Sequence, residues 1–92
     1  MIRLRGHLRC LTQTEAAAVA AHAPDHIALS RAEAGCLSFH IAPTDDPLVW
    51  AVDETFRDRA AFDAHQARTR DSAWFAATRG VIRDFRIEEL PD

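Results

Sequence analysis

At ninety-two residues the chain makes a single domain, residues 1–92, and with 48% hydrophobic and 27% charged side chains it has an ordinary globular composition. A net charge of −3 gives no global attraction to nucleic acid, and no run is long enough to span a membrane. There is no lysine and no tyrosine, so Schiff-base, lysine-base and phenol-acid chemistries are excluded. All eleven positive charges are arginines, which stay protonated and suit planar anions. Proton transfer near neutrality is left to five histidines, perturbed carboxylates and two thiols. The opening MIRLRGHLRC lacks the apolar core of a signal peptide, so a cytoplasmic location is expected. No glycine-rich phosphate loop, CxxC pair or GxSxG elbow is present.

The chain opens with an alternating strand, Ile2 to Leu11. Ile2, Leu4, Leu8 and Cys10 fall on one side, and Arg3, Arg5, His7 and Arg9 on the other. That polar side reads as a solvated surface, a partner-facing surface or a cavity wall. Thr12 and Glu15 then have capping-box spacing before an alanine-rich helix. Pro24 interrupts the helix, which either kinks there or stops near His22 and restarts. The second part directs Ile27 and Leu29 to the core and ends at Gly35, a natural C-cap. His22 and His26 have the four-residue spacing of helical metal ligands, but the proline spoils the geometry and no third ligand is marked. They read as surface histidines on a helix break, and no metal site is expected.

A second strand, Cys36 to Ala42, places Leu37, Phe39 and Ile41 on one face and Cys36, Ser38 and His40 on the other. Pro43 to Pro47 is a turn, making a hairpin with the next strand. The stretch Leu48 to Ala67 carries the most information. It is a strand, then a corner at Arg57-Asp58 with Asp58 as helix cap, then a helix on which Ala61, Phe62 and His65 share a face. Asp71 or Ser72 caps a short helix bearing Trp74 and Phe75, ended by Gly80. The last strand, Val81 to Leu90, puts Phe85 and Ile87 on one face.

Strand, helix, strand, strand, helix, strand with right-handed crossovers predicts an α+β, ferredoxin-like βαββαβ fold. Its four-stranded antiparallel sheet has the order 4-1-3-2, with the helices on one side. Cys10 and Cys36 then lie on strands separated by the third, so two free thiols are expected, which suits a reducing compartment. The helix-free face, with Cys36, Ser38, Val49 and Ala51, reads as small and half-apolar, a surface that calls for a cover.

The run SRAEAGCLSFHI followed by DPLVWAVDETFRDRAAFDAHQ resembles the antibiotic biosynthesis monooxygenase family. The matching pieces are Glu33-Ala34-Gly35-Cys36, Glu54 with Phe56, and Ala61-Phe62-Asp63-Ala64-His65, and the resemblance spans nearly the whole chain. It implies a homodimer whose sheets face each other as a dimeric α+β barrel, with a cleft in each subunit between sheet and helices. It also implies a monooxygenase working on a small hydroxyarene, quinol or polyketide-like ring with O2 and no cofactor. Such chemistry needs a base near neutrality, an apolar slot for a flat ring and a cation to hold the anion. His65 is the expected base. His7 aligns with a strand-1 position that is polar in family oxygenases and is the second catalytic candidate. Phe39, Trp50, Phe56, Phe62, Trp74 and Phe75 are the ring-slot candidates, and Arg83 the anion partner. With His65 where some relatives carry tryptophan, and with no tyrosine, a small aromatic fits better than haem. The alternative is a non-catalytic dimeric ligand-binding or structural protein of the same fold.

Overall fold

The computed structural model describes residues 1–91. Its elements in chain order are β1 (Ile2–Arg9), α1 (Gln13–Arg31), β2 (Cys36–Pro43), β3 (Val49–Phe56), α2 (Arg59–Arg70), α3 (Ala73–Ala77) and β4 (Ile82–Glu89). The strands form one antiparallel sheet in the order β2-β3-β1-β4, the expected ferredoxin-like arrangement. Each helix begins at a side-chain cap. The Thr12 hydroxyl accepts from Glu15 N–H, Asp58 accepts from Ala61 N–H, and Ser72 accepts from Phe75 N–H. No described helix is long and apolar enough to cross a membrane.

The core lies between the helices and the inward side of the sheet. Ile2, Leu4 and Leu8 from β1 meet Phe39, Val52 and Phe56 from β2 and β3, and Val19, Phe62 and Trp74 cover them from the helices. Four local expectations are corrected. First, of the two paths left open at Pro24, α1 does not stop near His22 and restart but runs unbroken to Arg31, with Pro24 exposed, as is Ala20, whose carbonyl loses its partner on the water-facing side. Second, the inward stripe of α1 is Val19, Ala23, His26 and Ser30, so His26 is buried rather than on the surface, while Leu29 lies off the stripe and is 55% exposed.

Third, α1 ends at Arg31, before Gly35. The glycine instead permits close packing: a Cβ there would collide with the Cβ of Ala61 on α2. Fourth, β2 pairs Cys36 with Phe56 and Ser38 with Thr55, leaving Leu37 as an extra, bulged residue. The bulge turns Cys36 toward the core and leaves Leu37 57% exposed. Cys10 and Cys36 are free thiols, as expected.

The helix-free face is also less apolar than the sequence suggested. Asp53 receives two bonds from Arg3, at 3.0 and 2.7 Å, while Arg5 reaches Glu88 and Arg9 reaches Asp84. Each pair is a diagonal across neighbouring strands, and together they form a charged lattice around an open groove of about 650 Å³.

Candidate active site

A partly open pocket lies on the other side of the sheet. This pocket, of about 230 Å³, sits between the inward faces of all four strands and the helices. Its floor is apolar, with Leu4, Leu8, Ile41 and Val52, and its polar side chains are Glu54, His65, His26 and Thr69 within, with Gln66, Arg70 and Arg83 also lining it.

His65 is held on both sides. Asp58 fixes the start of α2, and the helical repeat carries His65 to the same inward face as Phe62. The imidazole is 2% exposed and is packed between Phe56, at 4.8 Å between ring centres, and Phe39, at 5.3 Å. Its Nδ1 lies 2.7 Å from Glu33 Oε1. A carboxylate only accepts, so Nδ1 carries the proton and Nε2 keeps its lone pair on the cavity side, 3.3 Å from the Thr69 hydroxyl. Glu33 is itself fixed by Arg68 Nε at 2.9 Å, and the same guanidinium donates to the Ser30 hydroxyl. The chain Arg68–Glu33–His65 therefore orients one basic nitrogen toward the cavity. Burial lowers the proton affinity of His65, against the raising effect of Glu33.

Glu54 and His26 complete the polar wall. Strand alternation carries Glu54 inward with Val52 and Phe56, and it is 6% exposed. Its Oε1 lies 3.6 Å from His65 Nε2, beyond hydrogen-bond reach, and has no partner among the described residues. Burial, followed by the charges of Glu33 and Asp53, pushes its pKa up to about 8, so the group is a neutral acid at pH 7. His26 stacks on Trp74 with ring centres 4.8 Å apart and planes within 4°, and its Nδ1 is buried without a partner. Burial, then repulsion from His65, Arg68 and Arg83, lowers its pKa to about 3, leaving it neutral. Arg83 closes one side, its guanidinium 5.3 Å from the Phe75 ring centre and bonded to the Thr78 carbonyl and hydroxyl.

Of the residues singled out from sequence, the cavity brings together His65, Trp74, Phe75 and Arg83. Phe39 and Phe56 touch the back of the His65 ring from within the core, Phe62 packs on Phe56, and Trp50 lies half-buried against the core, so none of these four lines the cavity. His7 is on the opposite face of the sheet, in the groove with Arg3, Arg5 and His40. Sequence reasoning missed His26, and it gave Glu33 no role beyond the motif. The signals were present in the Val19/Ala23/His26/Ser30 stripe and in the Glu-x-Gly-Cys run, whose glycine brings α2 against the residues beside Glu33. Among the described residues no group of three or more His, Cys, Asp or Glu side chains is set to hold a metal ion.

The chain is thus an α+β protein with helices on one side of its sheet and, between them, a partly open aromatic-walled pocket that holds an oriented histidine. Residues 1–77 match the family model described as antibiotic biosynthesis monooxygenase, and the chain belongs to that family. Among solved structures, a protein from Deinococcus radiodurans, provisionally named an antibiotic biosynthesis monooxygenase, superposes with a TM-score of 0.82 at 19% identity, covering 100% of this chain and 94% of that one. Rv0793 from Mycobacterium tuberculosis gives 0.73 at 21% identity, over 99% and 95% of the two chains. A Caulobacter crescentus protein of the same provisional name gives 0.75 at 22%, over 95% and 84%. At these identities the likeness is one of fold. No curated protein matches the sequence.

Proposed function

We propose that this protein is a cofactor-independent monooxygenase that oxidises a small hydroxyarene or quinol with O2, using His65 as the base. The observation that carries the reading is the Glu33-oriented imidazole, whose Nε2 faces a mostly apolar pocket and accepts there from the Thr69 hydroxyl at 3.3 Å, a weak contact that a substrate hydroxyl would replace. Nε2 takes the proton of a ring hydroxyl. The resulting anion is electron-rich enough to pass one electron to O2, and the two radicals combine as a carbon-bound peroxide. Loss of water leaves a quinone oxygen, so hydroxyarene and O2 give quinone and water. Trp74 and Phe75 flank the ring, and the Arg83 charge, at the cavity edge, offsets the anion in a site of low dielectric.

The same reading has two chains meeting through their helix-free sheet faces as a barrel. The family supports it, as does a sheet covered by helices on one side only. His7 then belongs to the contact between chains rather than to the base.

The test uses His65→Asn, whose amide keeps a donor for Glu33 but supplies no base. Oxygen uptake on a hydroxyarene panel is expected to fall by roughly a hundredfold with the fold intact by circular dichroism. Undiminished uptake, or a wild-type protein that consumes no oxygen with any member of the panel, overturns the reading in favour of a ligand-binding protein of the same fold.

A further inference from the structure

The wall around His65 specifies more than a single hydroxyl. His65 Nε2 is an acceptor, and Glu54, neutral at pH 7, is a donor whose carboxyl has no hydrogen-bond partner among the described residues. The two groups are 3.6 Å apart and line one cavity. A buried carboxyl left without a partner costs free energy, so a ligand that satisfies it gains binding that one lacking the matching atom does not.

We propose, building on the hydroxyarene reading, that this cavity takes a ring with oxygens on two adjacent carbons, one donating to His65 Nε2 and its neighbour accepting from the Glu54 carboxyl. Adjacent ring oxygens lie about 2.7 Å apart, an ordinary O–H···O contact distance, so each reaches its own partner along nearly parallel bonds. Oxygens across a ring are roughly twice as far apart, and only one of them meets this pair of groups. Size sets the other limit. Pockets for drug-sized ligands run from about 300 to 1,000 Å³, and this cavity holds about 230 Å³. One ring or two fused rings fit within that volume.

The groups facing Glu54 and His65 do not reverse this assignment of donor and acceptor. Glu33 and Asp53 favour the protonated carboxyl, and Glu33 holds the Nδ1 proton of His65. His26 stays neutral beside Trp74, the Arg83 guanidinium is occupied by Thr78 and the Val81 carbonyl, and Arg68, bonded to Glu33, disfavours a charged His65. The Thr69 hydroxyl already donates to Nε2 at 3.3 Å, which marks that nitrogen as the acceptor the ligand takes over, and Gln66 and Arg70 line the same pocket.

Anaerobic titration calorimetry at pH 6.5 tests the idea without requiring turnover, using 2,3-dihydroxynaphthalene, 2,6-dihydroxynaphthalene and 2-naphthol. The 2,3-isomer is expected to bind roughly tenfold tighter than either of the others. Glu54→Leu, similar in volume and apolar, should bring the three compounds within about threefold of one another. Glu54→Gln, which retains a donor, should keep most of the preference and serves if the leucine variant folds poorly. Equal binding of the three by the wild type, or no binding of any, overturns the proposal. A 2,3-preference in a protein that consumes no oxygen upholds this inference and removes the oxygenase reading. Oxygen uptake without the preference does the reverse.

Discussion

Glu54 is held uncharged by its surroundings, and this sets part of the dependence of stability on pH. Its pKa of about 8 in the fold lies above the ordinary 4.5, so between those values the folded chain binds more protons than the unfolded one. Stability therefore falls as pH rises through that window and levels off above it. Glu54→Gln removes the slope. The variant is expected to match the wild type near pH 4.5 and to exceed it by on the order of 5 kcal/mol at pH 9, read from urea midpoints across pH. A parallel pH profile for the two proteins contradicts the buried-acid assignment. His26 acts on the other limb. Its fall from 6.5 to about 3 means that stability is lost as pH drops below 6.5. At this scale the sequence was partly legible. His65 could be placed from its position beside Phe62 on one helical face, whereas its partner Glu33 is 32 positions away and meets it only through the tertiary fold.

Among the elements, α2 packs closely against the turn before β2. Gly35 lies against Ala61, and its carbonyl accepts from Arg57 N–H at 2.8 Å. Gly35→Ala forces the helix outward, with an expected loss of about 1–3 kcal/mol in a denaturant titration. Because α2 carries His65, weaker ligand binding should accompany that loss, and an unchanged urea midpoint would show that the close approach is not required. Strand order was readable because it depends on periods of two and 3.6 and on handed connections. The facing of Phe39 and Ile41 inward and of Ser38 and His40 outward was readable too, but that of Cys36 and Leu37 was not, since one extra residue at Leu37 shifts the pleat, and nothing local to CLSF announces it. The path of α1 through Pro24 was equally hidden, because it depends on which side of the helix meets water.

For the whole molecule, the proposed pairing of sheets makes a definite claim about mass. Sedimentation equilibrium at micromolar concentration is expected to return twice the 10.3 kDa chain. Ala51 lines the groove on the open face, and Ala51→Arg should drive the protein toward monomer by placing an unmatched charge in the contact. A monomeric wild type removes the barrel. The charged lattice refines the expectation further. Arg3, Arg5 and Arg9 are already bonded to carboxylates of their own chain, so association should respond only weakly to added salt.

The bulge at Leu37 has a consequence for what the sheet does not do. β2 is an outer strand, and an outer strand offers a free row of backbone donors and acceptors on which another strand can grow. The extra residue breaks the spacing of that row near its start, so an incoming strand that pairs in register after Ser38 falls out of step at Cys36. The opposite rim, β4, carries Arg83, Asp84, Arg86, Glu88 and Glu89 among its eight residues, which burden a strand laid beside it with charge. Runaway edge-to-edge polymerisation is thus blocked at both rims, and deleting Leu37 should make the protein more prone to form fibrils on mild heating.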